Sequence, residues 1–102
     1  MVAERREIKE LQARSAQAAR LLKAIANQRR LLILCELAGG EAPVGALAEA
    51  VGLSQSALSQ HLAKLRQQKL LATRKEAQSI FYRISDPKVV KLLGTLKEIY
   101  CP

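Results

Sequence analysis

The sequence predicts a mainly α-helical domain with one small β-hairpin, its elements running α-α-α-α-β-β-α. Three features point there. Apolar residues recur at helical spacing along most of the chain, Gly, Pro and Ser positions cut that pattern into short helices, and two β-compatible runs lie between residues 70 and 84. At 102 residues and 49% hydrophobic content, the chain has material for one core and no second domain, so residues 1–102 are read as a single unit. A domain this small leaves much apolar surface uncovered, which makes a partner subunit an early expectation.

The first helix rests on Ile8, Leu11, Ser15, Ala18, Leu22 and Ile25, whose alternating three- and four-residue steps set them on one stripe. Arg5, Arg6, Lys9, Glu10, Arg14 and Arg20 lie off that stripe. Packing within one chain is the alternative to packing on a second copy. Asn27 is placed to cap a second helix running through Leu31, Leu32, Ile33, Leu34, Cys35 and Leu37, apolar on nearly every side and stopped by Gly39 and Gly40. Pro43 opens a short third helix, Val44 to Val51, closed by Gly52. Ser54 caps a fourth, whose Leu58, Leu62 and Leu65 form a narrow apolar face. At about 100° per residue, Ser56, Gln60, Ala63 and Gln67 fall on the opposite side. The segments Leu70 to Lys75 and Ser79 to Ile84 flank Glu76-Ala77-Gln78 as a hairpin without an Asn-Gly or Asp-Gly turn signal. Asp86 and Pro87 start a last helix carrying Val89, Leu92, Leu93, Leu96, Ile99 and Tyr100.

The third helix, the Gly52-Leu53 turn and the helix after Ser54 make a helix-turn-helix over residues 44–66, and the hairpin over residues 70–84 makes a wing behind it. The expected architecture is therefore a winged helix-turn-helix. A helix that enters a major groove about 12 Å wide needs small or hydrogen-bonding side chains on its outer face. Gln55, Ser56, Ser59 and Gln60 meet that need, since Gln pairs with adenine through two hydrogen bonds and Ser serves bases or phosphates. Lys64, Arg66, Arg74 and Lys75 suit neutralisation of phosphates. His61 falls about 60° from the leucine stripe, as a boundary residue bonded to backbone or phosphate, and a lone His cannot build a metal site. Each feature singly also fits an ordinary solvated helix. Their combination points to double-stranded DNA.

The charge pattern agrees. The net charge of +8 is segregated: residues 1–30 and 54–85 each carry a net +5, whereas residues 31–53 hold only Glu36, Glu41 and Glu49. Clustering of this kind favours a nucleic-acid partner over mere solubility. No stretch approaches the roughly 20 apolar residues of a membrane span, and MVAERREIKE has no apolar signal core, so a cytoplasmic location without a membrane partner is expected. The chain offers no paired carboxylates, no nucleophile with a base and no glycine-rich phosphate loop, and it contains only two Tyr and one Phe. Neither an enzyme nor a cofactor is expected. Cys35 and Cys101 stand 66 residues apart, neither a zinc-ligand spacing nor a CxxC motif. Taken alone they read as two free thiols, with Cys35 a small buried hydrophobe.

The stretches LLKAIANQRRLLIL, GLSQSALSQHLAKLRQQKLL and TRKEAQSIFYRIS resemble the ArsR/SmtB family of winged-helix repressors, and the likeness spans nearly the whole chain. It implies a homodimer joined mainly through the first and last helices, residues 1–26 and 86–102, with two reading heads in successive major grooves of an inverted-repeat operator. Many members sense metals through Cys in the third helix or through Asp, His and Glu in the last. Here those segments read EAPVGALAEA, without Cys, and DPKVVKLLGTLKEIYCP, without His, so the resemblance implies no metal site there. Cys35 in ILCEL and Cys101 in YCP instead resemble the two-thiol subgroup, which senses reactive sulfur species or oxidants. This implies a repressor that leaves its promoter when sulfur bridges Cys35 to Cys101 and ties the second helix to the last. A direct disulfide needs Cα atoms within about 7 Å, and a polysulfide spans slightly more. Three other readings stay open: a metal-responsive regulator using Cys35, Cys101 and His61, a regulator with inert cysteines, and a basic protein-interaction module.

Overall fold

The computed structural model describes residues 4–101; residues 1–3 and 102, at the outer ends of the two expected dimerisation segments, lie outside the described residues. The elements are α1 (Arg5–Ala13), α2 (Ser15–Ile25), α3 (Gln28–Ala38), β1 (Ala42–Pro43), α4 (Val44–Val51), α5 (Gln55–Gln67), β2 (Leu71–Glu76), β3 (Ser79–Ile84) and α6 (Pro87–Tyr100). The fold is the expected winged helix-turn-helix, with two departures in detail.

The first departure is a break in the opening helix. Arg14 turns to φ −107° and ψ 16°, dividing α1 from α2. Its N–H is shared between the carbonyls of Glu10 at 3.2 Å and Leu11 at 3.1 Å, the tightened last turn common at helix ends. Ala18 still donates to the Arg14 carbonyl at 3.0 Å, so the bonding continues across the break. The predicted stripe divides accordingly. Ile25 is buried against the core, whereas Leu11 and Leu22 stay 62% and 55% exposed. The second departure is β1, two residues pairing antiparallel with β3 through Ala42↔Tyr82 and Pro43↔Phe81. It turns the hairpin into a three-stranded sheet ordered β1-β3-β2. A two-residue strand has no readable period, and its Pro is tolerated because the strand lies at the sheet edge.

The local signals at the helix ends hold. Asn27 accepts from the Arg29 and Arg30 amides at 2.9 and 3.1 Å. Ser54 accepts from Ala57 at 3.2 Å, and Asp86 accepts from Lys88 at 2.9 Å ahead of Pro87. Each satisfies a donor that the helix itself leaves unpaired, worth about 1 kcal/mol. Gly52 closes α4 at φ 70°, a conformation that costs a residue with a Cβ roughly 1–2 kcal/mol. The core gathers Ile33, Leu34 and Leu37 of α3, Leu47 of α4, Leu58, Leu62 and Leu65 of α5, Leu70 and Leu71 entering the wing, and Val89 of α6. All the leucines predicted for the inner face of α5 are in it.

Candidate nucleic-acid interface

The helix-turn-helix presents α5 by fixing both of its ends. At the start, the Gly52 and Leu53 amides both donate to the Ala48 carbonyl, at 2.9 and 3.1 Å, which sets the angle between α4 and α5. At the end, Lys69 adopts φ 64°. Its N–H bonds the Arg66 carbonyl at 2.9 Å, and the Leu70 N–H reaches back to the Leu65 carbonyl at 3.0 Å. These two bonds form a Schellman closure, with buried Leu65 and Leu70 as its apolar pair. With Leu58, Leu62 and Leu65 inward, the exposed face carries Gln55, Ser56, Ser59 and Gln60, flanked by Lys64 and Arg66. These six predicted residues are therefore brought together on one helix surface. Ser56 lies 3.3 Å, hydroxyl to hydroxyl, from the capping Ser54, so it is linked to the cap that starts the helix.

His61 is half-buried at the edge of that face, and its partner within the chain is a side chain rather than backbone. Its Nδ1 accepts from Arg30 Nε at 3.2 Å, while Arg30 Nη1 donates to the Ala24 carbonyl at 3.3 Å. One guanidinium thus links the end of α2, the first turn of α3 and the middle of α5. Burial, with Arg30, Lys64 and Arg29 nearby, holds the imidazole pKa below its ordinary value, which keeps the neutral, accepting form. Nothing in the sequence singles out Arg30; an arginine in a helix's first turn carries no mark of a partner 31 residues away.

The wing divides its cations. The β2 and β3 strands pair from Leu71↔Ile84 to Glu76↔Ser79, leaving a two-residue loop with Ala77 at φ 55°. Lys75 and Arg83 are exposed on this hairpin. Arg74 instead engages Glu41: Nε lies 2.8 and 3.0 Å from the two carboxylate oxygens, and Nη2 bonds Oε1. Nη1 bonds Glu76 at 2.6 Å, and the guanidinium carbon sits 4.5 Å above the centre of the Phe81 ring. The Arg74 hydrogen bond holds the Glu41 carboxyl below its ordinary pKa, and the two carboxylates raise that of Arg74. Arg74 therefore braces the wing against the segment before β1, a role distinct from that of its neighbour Lys75. Glu41 and Phe81 were missed because only the β1–β3 pairing brings them to Arg74.

Away from α5, Cys35 and Cys101 are both exposed and both line one apolar groove of about 490 Å³ between α3 and α6. Leu31, Val90, Leu93 and Tyr100 supply much of the wall, and Lys97 is its charged residue. The burial expected for Cys35 by itself does not occur, because α3 turns Ile33, Leu34 and Leu37 to the core and Cys35 to α6. Among the described residues, no three His, Cys, Asp or Glu side chains converge in a metal-binding cluster. Among the same residues, no helix is long and apolar enough to cross a membrane.

The arrangement can be compared with known proteins. The profile of the bacterial regulatory proteins of the arsR family matches residues 27–73, which run from the cap of α3 into the wing. The transcriptional activator HlyU of Vibrio cholerae is 51% identical over 94 residues, covering 92% of this chain and 87% of that protein. The chain belongs to the arsR family. The structure of reduced HlyU from Vibrio cholerae superposes with a TM-score of 0.84 over 92% of this chain and 99% of that one, at 51% identity. The crystal structure of the transcriptional repressor BigR from Xylella fastidiosa gives a TM-score of 0.88 at 35% identity, covering 92% and 96% of the two chains. A homodimeric winged helix-turn-helix DNA-binding domain from Mycobacterium bovis, solved by NMR, gives 0.75 at 35% identity over 95% and 86%. This arsR-family chain is accordingly a DNA-binding transcriptional regulator, and the family resemblance drawn from its motifs holds.

Proposed function

We propose that this chain is a homodimeric repressor that reads an inverted-repeat operator with α5 and releases it when Cys35 and Cys101 become linked through sulfur. The observation that carries the thiol part is their meeting in one groove, although 66 residues separate them in sequence. Gly94 adds support. It costs α6 about 0.5–1 kcal/mol relative to alanine. A Cβ there would meet nothing within 4 Å, so packing within this chain does not require a glycine on the groove wall.

On DNA, Gln55, Ser56, Ser59 and Gln60 would face base edges, with Lys64, Arg66 and Lys75 on phosphates. Arg74 would act from the base of the wing and His61 from the edge of α5. The homodimer reading draws on the exposed Leu22, Val90, Ile99 and Tyr100 of the terminal helices, and on the homodimeric relative.

In the switching step, one cysteine takes the outer sulfur of a persulfide RSSH, giving Cys-SSH and RSH. The second thiol then attacks the inner sulfur of Cys-SSH, forming Cys35-S-S-Cys101 and releasing hydrogen sulfide. The bridge would tie α3 to α6 and so shift the two reading heads relative to each other. A hundredfold loss of DNA affinity corresponds to about 2.7 kcal/mol, within the usual range of ligand-coupled switches.

The test is fluorescence anisotropy on a duplex from the protein's own promoter, comparing reduced protein, protein treated with glutathione persulfide, and Cys35→Ser. Loss of affinity on treatment of the wild type but not of Cys35→Ser is expected. Equal affinity before and after treatment would leave the DNA-binding regulator standing and remove the thiol switch.

A further inference from the structure

A second cleft, of about 580 Å³, opens where α2, the start of α3, the later half of α5 and the start of α6 meet. Its walls carry Arg20 and Lys23 from α2, Arg30 from α3, Lys64 from α5 and Lys88 from α6. The one carboxylate among its lining residues is Asp86, which is already engaged. It caps α6 through the Lys88 amide at 2.9 Å and pairs with Lys88 Nζ at 3.1 Å. Among the described residues, the ion pairs engage Arg6, Arg74 and Lys88, so Arg20, Lys23, Arg30 and Lys64 converge without a carboxylate partner. Like charges gathered in a cleft repel one another, a cost relieved when an anion enters. Arg30 also serves the fold through His61 and the Ala24 carbonyl, but nothing in the packing of the core calls for Arg20, Lys23 and Lys64, which are exposed.

We propose that this cleft seats DNA backbone phosphates that flank the segment read by α5. Continuity selects DNA over a free anion. Lys64 lies one helical turn beyond Gln60, so the cleft begins at the edge of the face assigned to base contacts. The proposal rests on the reading of α5 as the recognition helix, and it extends the interface to α2 and α6. Neither helix contributes to base readout, so the added contacts fix register and affinity without adding sequence preference.

The experiment is the dependence of duplex affinity on salt, measured by anisotropy with the operator duplex and with a scrambled duplex. Each phosphate contact contributes about 0.9 to the slope of log affinity against log salt. The variant Arg20→Ala/Lys23→Ala is expected to flatten that slope by about two and to weaken both duplexes alike. Arg20→Ala alone, the milder change, is expected to flatten it by about one, and it serves if the double variant fails to fold. Arg5→Ala/Lys9→Ala removes the same charge from α1 and is expected to leave the slope as in the wild type.

An unchanged slope in the cleft variants overturns the proposal, and so does an equal flattening in the α1 control, which would mark net charge alone. Titration of the DNA-free protein with inorganic phosphate, followed by NMR, addresses the other source of the same chemistry. Saturable phosphate binding in the cleft, together with an unchanged DNA slope in the variants, would assign a small-anion site and overturn the DNA assignment. Failure of the wild type to bind any duplex would instead overturn the reading of α5, and this proposal with it.

Discussion

The helix-turn-helix and the terminal helices use their apolar residues in opposite ways. In α4 and α5, Leu47, Leu58 and Leu65 are 0% exposed, whereas Leu22 on α2 and Ile99 and Tyr100 on α6 stand 55%, 61% and 77% exposed. Of α6, only Val89 is fully buried, and α1 buries nothing. The reading head is held by the chain's own core. The terminal helices carry faces that this chain alone leaves wet, which is where the proposed second copy would add its stabilisation.

The comparison breaks most visibly at Leu62, the α5 leucine between the other two. Leu62→Ala should cost about 2–5 kcal/mol, a large share of a small domain's stability, and urea denaturation would read it directly. A cost below about 1 kcal/mol would mean that α5 is not anchored as its burial indicates. The opposite pattern is expected at the ends. Leu22→Ser/Ile99→Ser should leave the isolated fold nearly as stable, yet raise the dimer dissociation constant by at least about tenfold for each side chain removed from a buried interface. Sedimentation at graded concentrations checks this. A variant that self-associates like the wild type would remove the terminal helices from the interface.

The two regions also differ in how far the sequence revealed them. Caps at Asn27, Ser54 and Asp86, the bounds of α4 and the inner face of α5 were all readable, because each depends on residues a few positions apart. The break at Arg14 was not, since nothing in an amphipathic stripe distinguishes one turn from the next. Lys69 at φ 64° was also hidden, for glycine is the residue that ordinarily signals this conformation. Long-range pairs were the least visible. Arg74 and Lys75 look equivalent as wing cations until β1 brings Glu41 alongside Arg74. The thiol groove was legible only through family likeness, because no spacing rule joins positions 35 and 101.

That hidden difference between adjacent wing cations yields a sharper measurement. Lys75→Ala should flatten the salt dependence of DNA binding by about one, as expected for loss of a single phosphate contact. Arg74→Ala should weaken binding through a loosened wing while leaving the slope close to that of the wild type, since Glu41 and Glu76 already match the charge it removes. Glu41→Gln should reproduce part of the Arg74 effect, because it loosens the same brace from the other side. Equal flattening by Arg74→Ala and Lys75→Ala would return both residues to direct phosphate contact.

The smallest expected effect tests how the reading head is tied to its support. His61 accepts from Arg30 only while Nδ1 is unprotonated, and its folded pKa lies below the ordinary value of 6.5. The unfolded chain therefore binds this proton more readily than the folded one, so stability rises with pH across the interval between the two values. The contribution is complete above 6.5 and is lost as pH falls through the lowered folded value. Glu41 acts in the same direction at more acidic pH, because its carboxyl is also held below its ordinary value of 4.5. Thermal melting between about pH 7.5 and about pH 5.5 isolates the histidine from that carboxylate. The wild type should lose Tm on acidification, and His61→Asn, which offers an uncharged acceptor, should give a flatter profile. The same pair of proteins on promoter DNA reports whether the brace matters to reading. If acid weakens the wild type's fold but not its sequence preference, Arg30 and His61 serve stability alone; if discrimination falls as well, the link from α3 helps to aim α5.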